Sequence, residues 1–190
     1  MMRTLKAAVM MIDGFEESET IQIVDILKRG GVDARTFRFQ DDPYVKGMQN
    51  ITVKSDERFS EAVKDYDIII VPGGRTCAAK FIADEEFMNT LRWFNENGKL
   101  IGGMCSGTVV LEEAGVLKGK KATGYTGYEA KLVSADFVNA LTVYDQNVIT
   151  SQGPATPLPF AFRILEVLGI DPSVIRSRLL YEEAGGRSYH

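Results

Sequence analysis

Histidine is almost missing from this sequence: the single one, His190, stands at the last position of the 190 residues. A chain terminus is the segment least tied down in most domains, so histidine-assisted catalysis and histidine-ligated metal find little support. Cysteine is nearly as scarce, with Cys77 and Cys105 alone. Two thiols make no disulfide framework, and a reduced, cytoplasmic setting is the expectation. Long apolar runs are absent too. The stretch Ala7–Ile12 ends at Asp13, too short for a signal-peptide core and far too short for a membrane span. Nor is there an excess of positive charge. The 22 basic and 26 acidic residues give a net charge of −4, and the one basic cluster, Lys118, Lys120 and Lys121, suits a solvated turn. A dedicated nucleic-acid surface is not expected. Chemistry is left to Cys, Glu and backbone donors.

What is present is an ordinary globular composition, 45% hydrophobic and 25% charged, arranged as strand-like and helix-like segments in alternation. Leu5–Ile12 reads as a strand buried on both faces. Glu17–Arg29 carries Ile21, Val24 and Leu27 at helical spacing, stopped by Gly30 and Gly31. Val32–Phe39 returns as a strand, Val45–Lys54 as a hairpin or edge strand, and Ser60–Lys64 as a short helix. Asp67–Val71 is a strand ended by Pro72-Gly73-Gly74. Glu85–Asn97 is a helix closed by Gly98 in a left-handed cap. Lys99–Met104 is the next strand, followed by a helix over Thr108–Ala114. Leu141–Ser151 forms one or two strands turning near Asp145-Gln146-Asn147, and helices over Pro157–Leu168 and Ser173–Glu183 close the chain. No repeat or linker divides it, so residues 1–190 are expected to form one α/β domain around a mostly parallel sheet.

In such sheets ligands bind beyond the carboxyl ends of the strands. Three unusual segments fall there: residues 13–19, 72–75 and 104–107. In the last, GGMCSG displays Cys105 between a strand and a helix, with Gly102, Gly103, Ser106 and Gly107 as small neighbours. That is the pattern of a nucleophile elbow. Amides of the following helix favour a thiolate there, which predicts a pKa below that of a free thiol. Cys77 lacks such a frame and reads as structural. The amides of Gly74 and Ser106 are candidate oxyanion donors. GFEESET places Glu16, Glu17 and Glu19 in the first helical turn. Most acids there merely complement the helix dipole, affecting stability by under ~1 kcal/mol. One of the three beside Cys105 would instead share or shuttle a proton, and the pattern leaves open which.

GFEESET, VPGGR, GGMCSG and TSQGPAT, in that order, resemble the ThiJ/PfpI superfamily, within it the branch of the Parkinson-disease-linked human protein (DJ-one) and bacterial YajL-type proteins. The likeness runs from about Lys6 to Leu180. It implies a flavodoxin-like three-layer α/β sandwich, a homodimer, and no cofactor or metal. It carries the oxidation-sensitive cysteine onto Cys105, its paired carboxyl onto Glu19, the oxyanion amides onto Gly74 and Ser106, and a pocket arginine supplied by the partner subunit onto Arg29. Where human-type members hold a histidine, KATGYTGY places Tyr125. The missing histidine argues against PfpI-type peptidase activity. A helix Glu rather than Asp argues against an isocyanide hydratase, and the absent His-x-Glu against a glutamine amidotransferase.

Two readings follow from the resemblance. The first is a cofactor-independent glyoxalase or deglycase acting on small reactive aldehydes such as methylglyoxal, or on glycated adducts. The second is a non-enzymatic oxidative-stress sensor or redox-regulated chaperone that works through oxidation of Cys105.

Overall fold

The computed structural model describes residues 3–186; His190 lies outside them. Strand β1 (Lys6–Met11) lies inside a seven-stranded sheet, between β2 (Asp33–Arg38) and the central strand β6 (Ile68–Val71). Beyond β6 come β7 (Leu100–Met104), β11 (Val148–Ser151) and β10 (Thr142–Asp145). The other edge is the two-residue β5 (Glu57–Arg58). Every pairing is parallel except β10 with β11. The apolar run of β1 is continuous because both faces are covered. Ala8 and Met10 enter one core cluster, Ala7 and Val9 the other.

Helices α1 (Glu17–Arg29) and α5 (Pro157–Val167) pack on the second face. On the first lie α2 (Cys77–Ile82), α3 (Glu85–Glu96) and α4 (Gly107–Glu113), where Phe81, Phe87 and Phe94 fill the core. The result is the flavodoxin-like, three-layer sandwich with a mostly parallel sheet. Helix α3 ends as its sequence predicts, with Gly98 at φ 63°. The hairpin of β3 (Tyr44–Lys46) and β4 (Thr52–Lys54) and the turn before β11 are also where the pattern puts them.

Four details differ. The short helix at 60–64 is a 3-10 turn, Glu61–Asp65. The closing helix is broken into α6 (Ser173–Arg178) and α7 (Tyr181–Gly186), because Leu180 adopts φ 54°. Helix α2 escapes the periodicity because it spans only six residues. A two-residue parallel pair, β8 (Lys121–Ala122) with β9 (Asp136–Phe137), adds a small outlying ribbon. Among the described residues no helix is long and apolar enough to cross a membrane.

The glycines of β7 serve packing as much as turning. A Cβ on Gly102 would meet Phe160 at 3.1 Å, and one on Gly103 would meet Leu111 at 2.6 Å. Both helical layers press on the sheet at that point. A Cβ on Gly107 would lie 2.0 Å from the Val71 carbonyl oxygen, so only glycine lets α4 start this close to β6.

Candidate active site

Cys105 sits between β7 and α4 with φ 52°, a left-handed conformation that a non-glycine residue adopts only when its surroundings impose it. The clamps are visible. Its amide donates to the Ser151 carbonyl at 3.1 Å, and its own carbonyl accepts from the Thr108 amide at 3.2 Å and hydroxyl at 2.7 Å. The thiol is partly exposed, whereas Cys77 is buried.

The three first-turn acids have three different tasks, and none is a freely solvated charge. Glu16 is the N-cap: its carboxylate accepts from the Glu19 amide at 2.7 Å and the Ser18 hydroxyl at 2.6 Å. Glu17 is buried against Gly47 and accepts from the Gln49 amide at 2.7 Å, which latches the β3–β4 hairpin to α1. Glu19 is fully buried and points at the thiol side. Its Oε2 accepts from the Gly73 amide at 2.6 Å, while Oε1 has no hydrogen-bond partner among the described residues. The Gly73 carbonyl in turn accepts from the Glu16 amide at 2.8 Å. The Pro-Gly-Gly turn is thus strapped to the start of α1. A Cβ on Gly73 would fall 2.7 Å from Glu19 Oε2 and 2.9 Å from Cys105 Sγ. Gly73 is the floor of this pair, a role the sequence reading did not single out.

Electrostatics couple the two side chains. Burial pushes Glu19 up from the ordinary carboxylate value to about 7, against the stabilising hydrogen bonds from Gly73 and Cys105. Burial likewise pushes the Cys105 thiol up. The Glu19 charge raises it further, and the Ser106 amide only partly offsets the rise. The expected lowering of the thiol pKa is therefore corrected: α4 has seven residues, and its first amide cannot outweigh desolvation plus a neighbouring carboxylate. Near neutrality sulfur keeps its proton while Glu19 passes between its protonated and ionised forms.

Gly74 is confined to glycine by φ 145° and by a Cβ position 2.2 Å from the Gly14 carbonyl. Its amide does not stand free as an oxyanion donor. It donates to Ser106 Oγ at 3.0 Å, and that hydroxyl donates back to the Gly74 carbonyl at 2.8 Å. Cys77 Sγ lies 3.8 Å from the same hydroxyl, and burial pushes its thiol up to about 11. Tyr125 lies with its ring against Gly153, two residues beyond the Ser151 carbonyl that holds the Cys105 amide. Tyr128, which the sequence reading passed over, packs on Tyr125 with ring centroids 5.6 Å apart. The evenly spaced GYTGY was the available signal. Arg29 is not brought in. It stands ten residues beyond Glu19 on α1, about 15 Å along the axis. There it pairs with Asp25 and lines a separate cavity of about 400 Å³ with Ile170, Val174 and Arg178.

Sheet order and a left-handed cysteine between strand and helix define a flavodoxin-like α/β protein with a partly exposed thiol on a strained strand-to-helix turn. The chain belongs to the DJ-1/PfpI family, whose sequence profile matches residues 5–167. It is 35% identical over 165 residues to the DJ-1 homolog B of Arabidopsis thaliana, covering 86% of this chain and 38% of that protein. The chain thus spans about four-tenths of the length of the two Arabidopsis relatives. A deglycase of Thermococcus kodakarensis is 31% identical over 153 residues, covering 79% of this chain and 91% of the relative. The crystal structure of Drosophila melanogaster DJ-1beta superposes with a TM-score of 0.89 at 28% identity, covering 94% of this chain and 98% of that one.

Proposed function

We propose that this chain is a cofactor-independent deglycase or glyoxalase that uses Cys105 as nucleophile and Glu19 as its proton carrier. One observation carries the reading: a fully buried carboxyl, pushed up to about 7, lies beside a partly exposed thiol on a strained turn. A group that titrates near working pH is suited to both take and return a proton. Relatives named as deglycases add support.

The Glu19 carboxylate takes the thiol proton as sulfur attacks the aldehyde carbon of methylglyoxal. The same proton passes to the aldehyde oxygen, giving a hemithioacetal. The Ser106 amide, which rests on the sulfur, moves to the developing oxyanion. Glu19 then removes the hydrogen from the former aldehyde carbon and delivers it to the neighbouring carbon through an enediol, leaving a lactoyl thioester. Water breaks the thioester C–S bond and releases lactate and the thiol. The sum is methylglyoxal plus water giving lactate, with no external oxidant.

Lactate formation from methylglyoxal, measured for wild type, Cys105→Ser and Glu19→Gln, tests this. Turnover lost in both variants is expected; turnover retained in Cys105→Ser overturns it. A redox role is a second reading, favoured by the exposure difference between the thiols. Peroxide reaches Cys105 before Cys77, and a protonated Glu19 can donate to the resulting sulfinate. In either reading the chain works as a single domain in a homodimer, with Arg29 delivered to the partner's site.

A further inference from the structure

The turns at 123–128 are pinned to both sides of Cys105. On one side, a Cβ on Gly124 would lie 2.8 Å from Thr108 Oγ1, the hydroxyl that donates to the Cys105 carbonyl. On the other, the Thr123 amide donates to Thr150 Oγ1 at 2.9 Å, one residue before the Ser151 carbonyl that holds the Cys105 amide. Tyr125 leaves this segment and lies along Gly153, where a Cβ would come within 3.0 Å of its ring. Tyr128 stands beside it at an interplanar angle of 60°, with Lys131 Nζ 4.2 Å from its ring centroid. Tyr128 is half-buried, while Tyr125 is 45% exposed, an aromatic ring left largely uncovered on a segment pinned to both sides of Cys105.

We propose that Tyr125 and Tyr128 form an aromatic wall over Cys105 that selects α-oxoaldehydes bearing a flat apolar substituent over methylglyoxal. A methyl group offers an aromatic ring little surface. An aryl group reaches the offset or edge-to-face spacing that aromatic rings prefer. Lys131 adds a cation–π contact on the Tyr128 ring. The phenol of Tyr128 is pushed up by burial and then by the Cys105 charge, which agrees with this placement. The inference rests on the glyoxalase reading for its natural substrate, but the wall itself can be measured without turnover.

The experiment compares alkylation of Cys105 by phenacyl bromide and by bromoacetone, which differ only in aryl against methyl. In each, the sulfur–carbon bond forms as bromide leaves. The rate ratio, read at the Cys105 peptide by mass spectrometry, is divided by the same ratio for glutathione. Wild type should give a normalised ratio on the order of ten. Tyr128→Phe should keep it, Tyr125→Ala and Tyr128→Ala should each lower it, and the double alanine variant should approach one. Circular dichroism melts confirm that each variant folds, and either single variant suffices if the double does not. A wild-type ratio near one, or a ratio unchanged by the alanine variants, overturns the wall. A protein that makes no lactate yet keeps the ratio refutes the glyoxalase reading and leaves the wall standing.

Discussion

At Glu19 a single buried carboxyl sets both stability and reactivity. Its folded pKa lies above its ordinary value, so the unfolded chain loses the proton first as pH rises. Stability is then greatest below about pH 4.5, falls through the window up to about 7, and levels off above it. The difference corresponds to about 3 kcal/mol. Glu19→Gln should therefore melt higher than wild type at pH 8 and close to it at pH 4, which thermal unfolding at the two values checks. The same variant removes the charge that opposes thiolate formation. Its Cys105 should react with iodoacetamide at lower pH than wild type even as lactate production is lost. A labelling curve displaced to higher pH contradicts the coupling described. Ser106→Ala makes the companion case. It releases the Gly74 amide toward the reacting oxygen, so kcat should rise several-fold while stability drops by about 1 kcal/mol.

Among the elements, the β3–β4 hairpin depends on α1 through one carboxylate. Glu17→Ala leaves the Gln49 amide without its partner, at a cost of about 1–3 kcal/mol. Hydrogen exchange should quicken first at residues 47–52. Gly107→Ala drives a methyl into the Val71 carbonyl and should cost about 3 kcal/mol, with loss of Cys105 reactivity because the turn moves with α4. Elements with a long apolar pattern were legible from sequence: α1, α3, β1, β6 and β7 lie where their periodicity and glycine stops put them. Helix α2 and the strands β5, β8 and β9 were not, since two to six residues give no period to detect. Cys105 stood out because a thiol framed by glycines follows an apolar run. The division of labour among Glu16, Glu17 and Glu19 was hidden, because it is decided by the Gln49 amide, the Gly73 amide and the helix cap, two of them distant in sequence. Tyr128 was hidden for a similar reason. The 123–134 segment has no period, and its place is fixed by Thr108 and Thr150.

For the whole molecule, the exposed side chains Ile21 and Ile51 flank a shallow groove with Val53, on the face carrying α1 and the hairpin. Apolar surface of this kind is costly to leave in water, and it adjoins the helix whose far end carries Arg29. Size-exclusion chromatography with light scattering should give about twice the 21.0 kDa chain mass, and Ile21→Glu should yield monomer; a wild-type monomer at micromolar concentration removes the dimer and the Arg29 role together. The bond between the Cys105 amide and the Ser151 carbonyl reaches further than the site. During synthesis Cys105 leaves the ribosome some 46 residues ahead of Ser151, an interval of roughly 2–9 s at typical elongation rates. Through that interval β7 lacks its neighbour β11, and the left-handed turn has only Thr108 to hold it. The nascent thiol is then solvated and more acidic than the folded one, so its tuned chemistry begins when the last parallel strand docks.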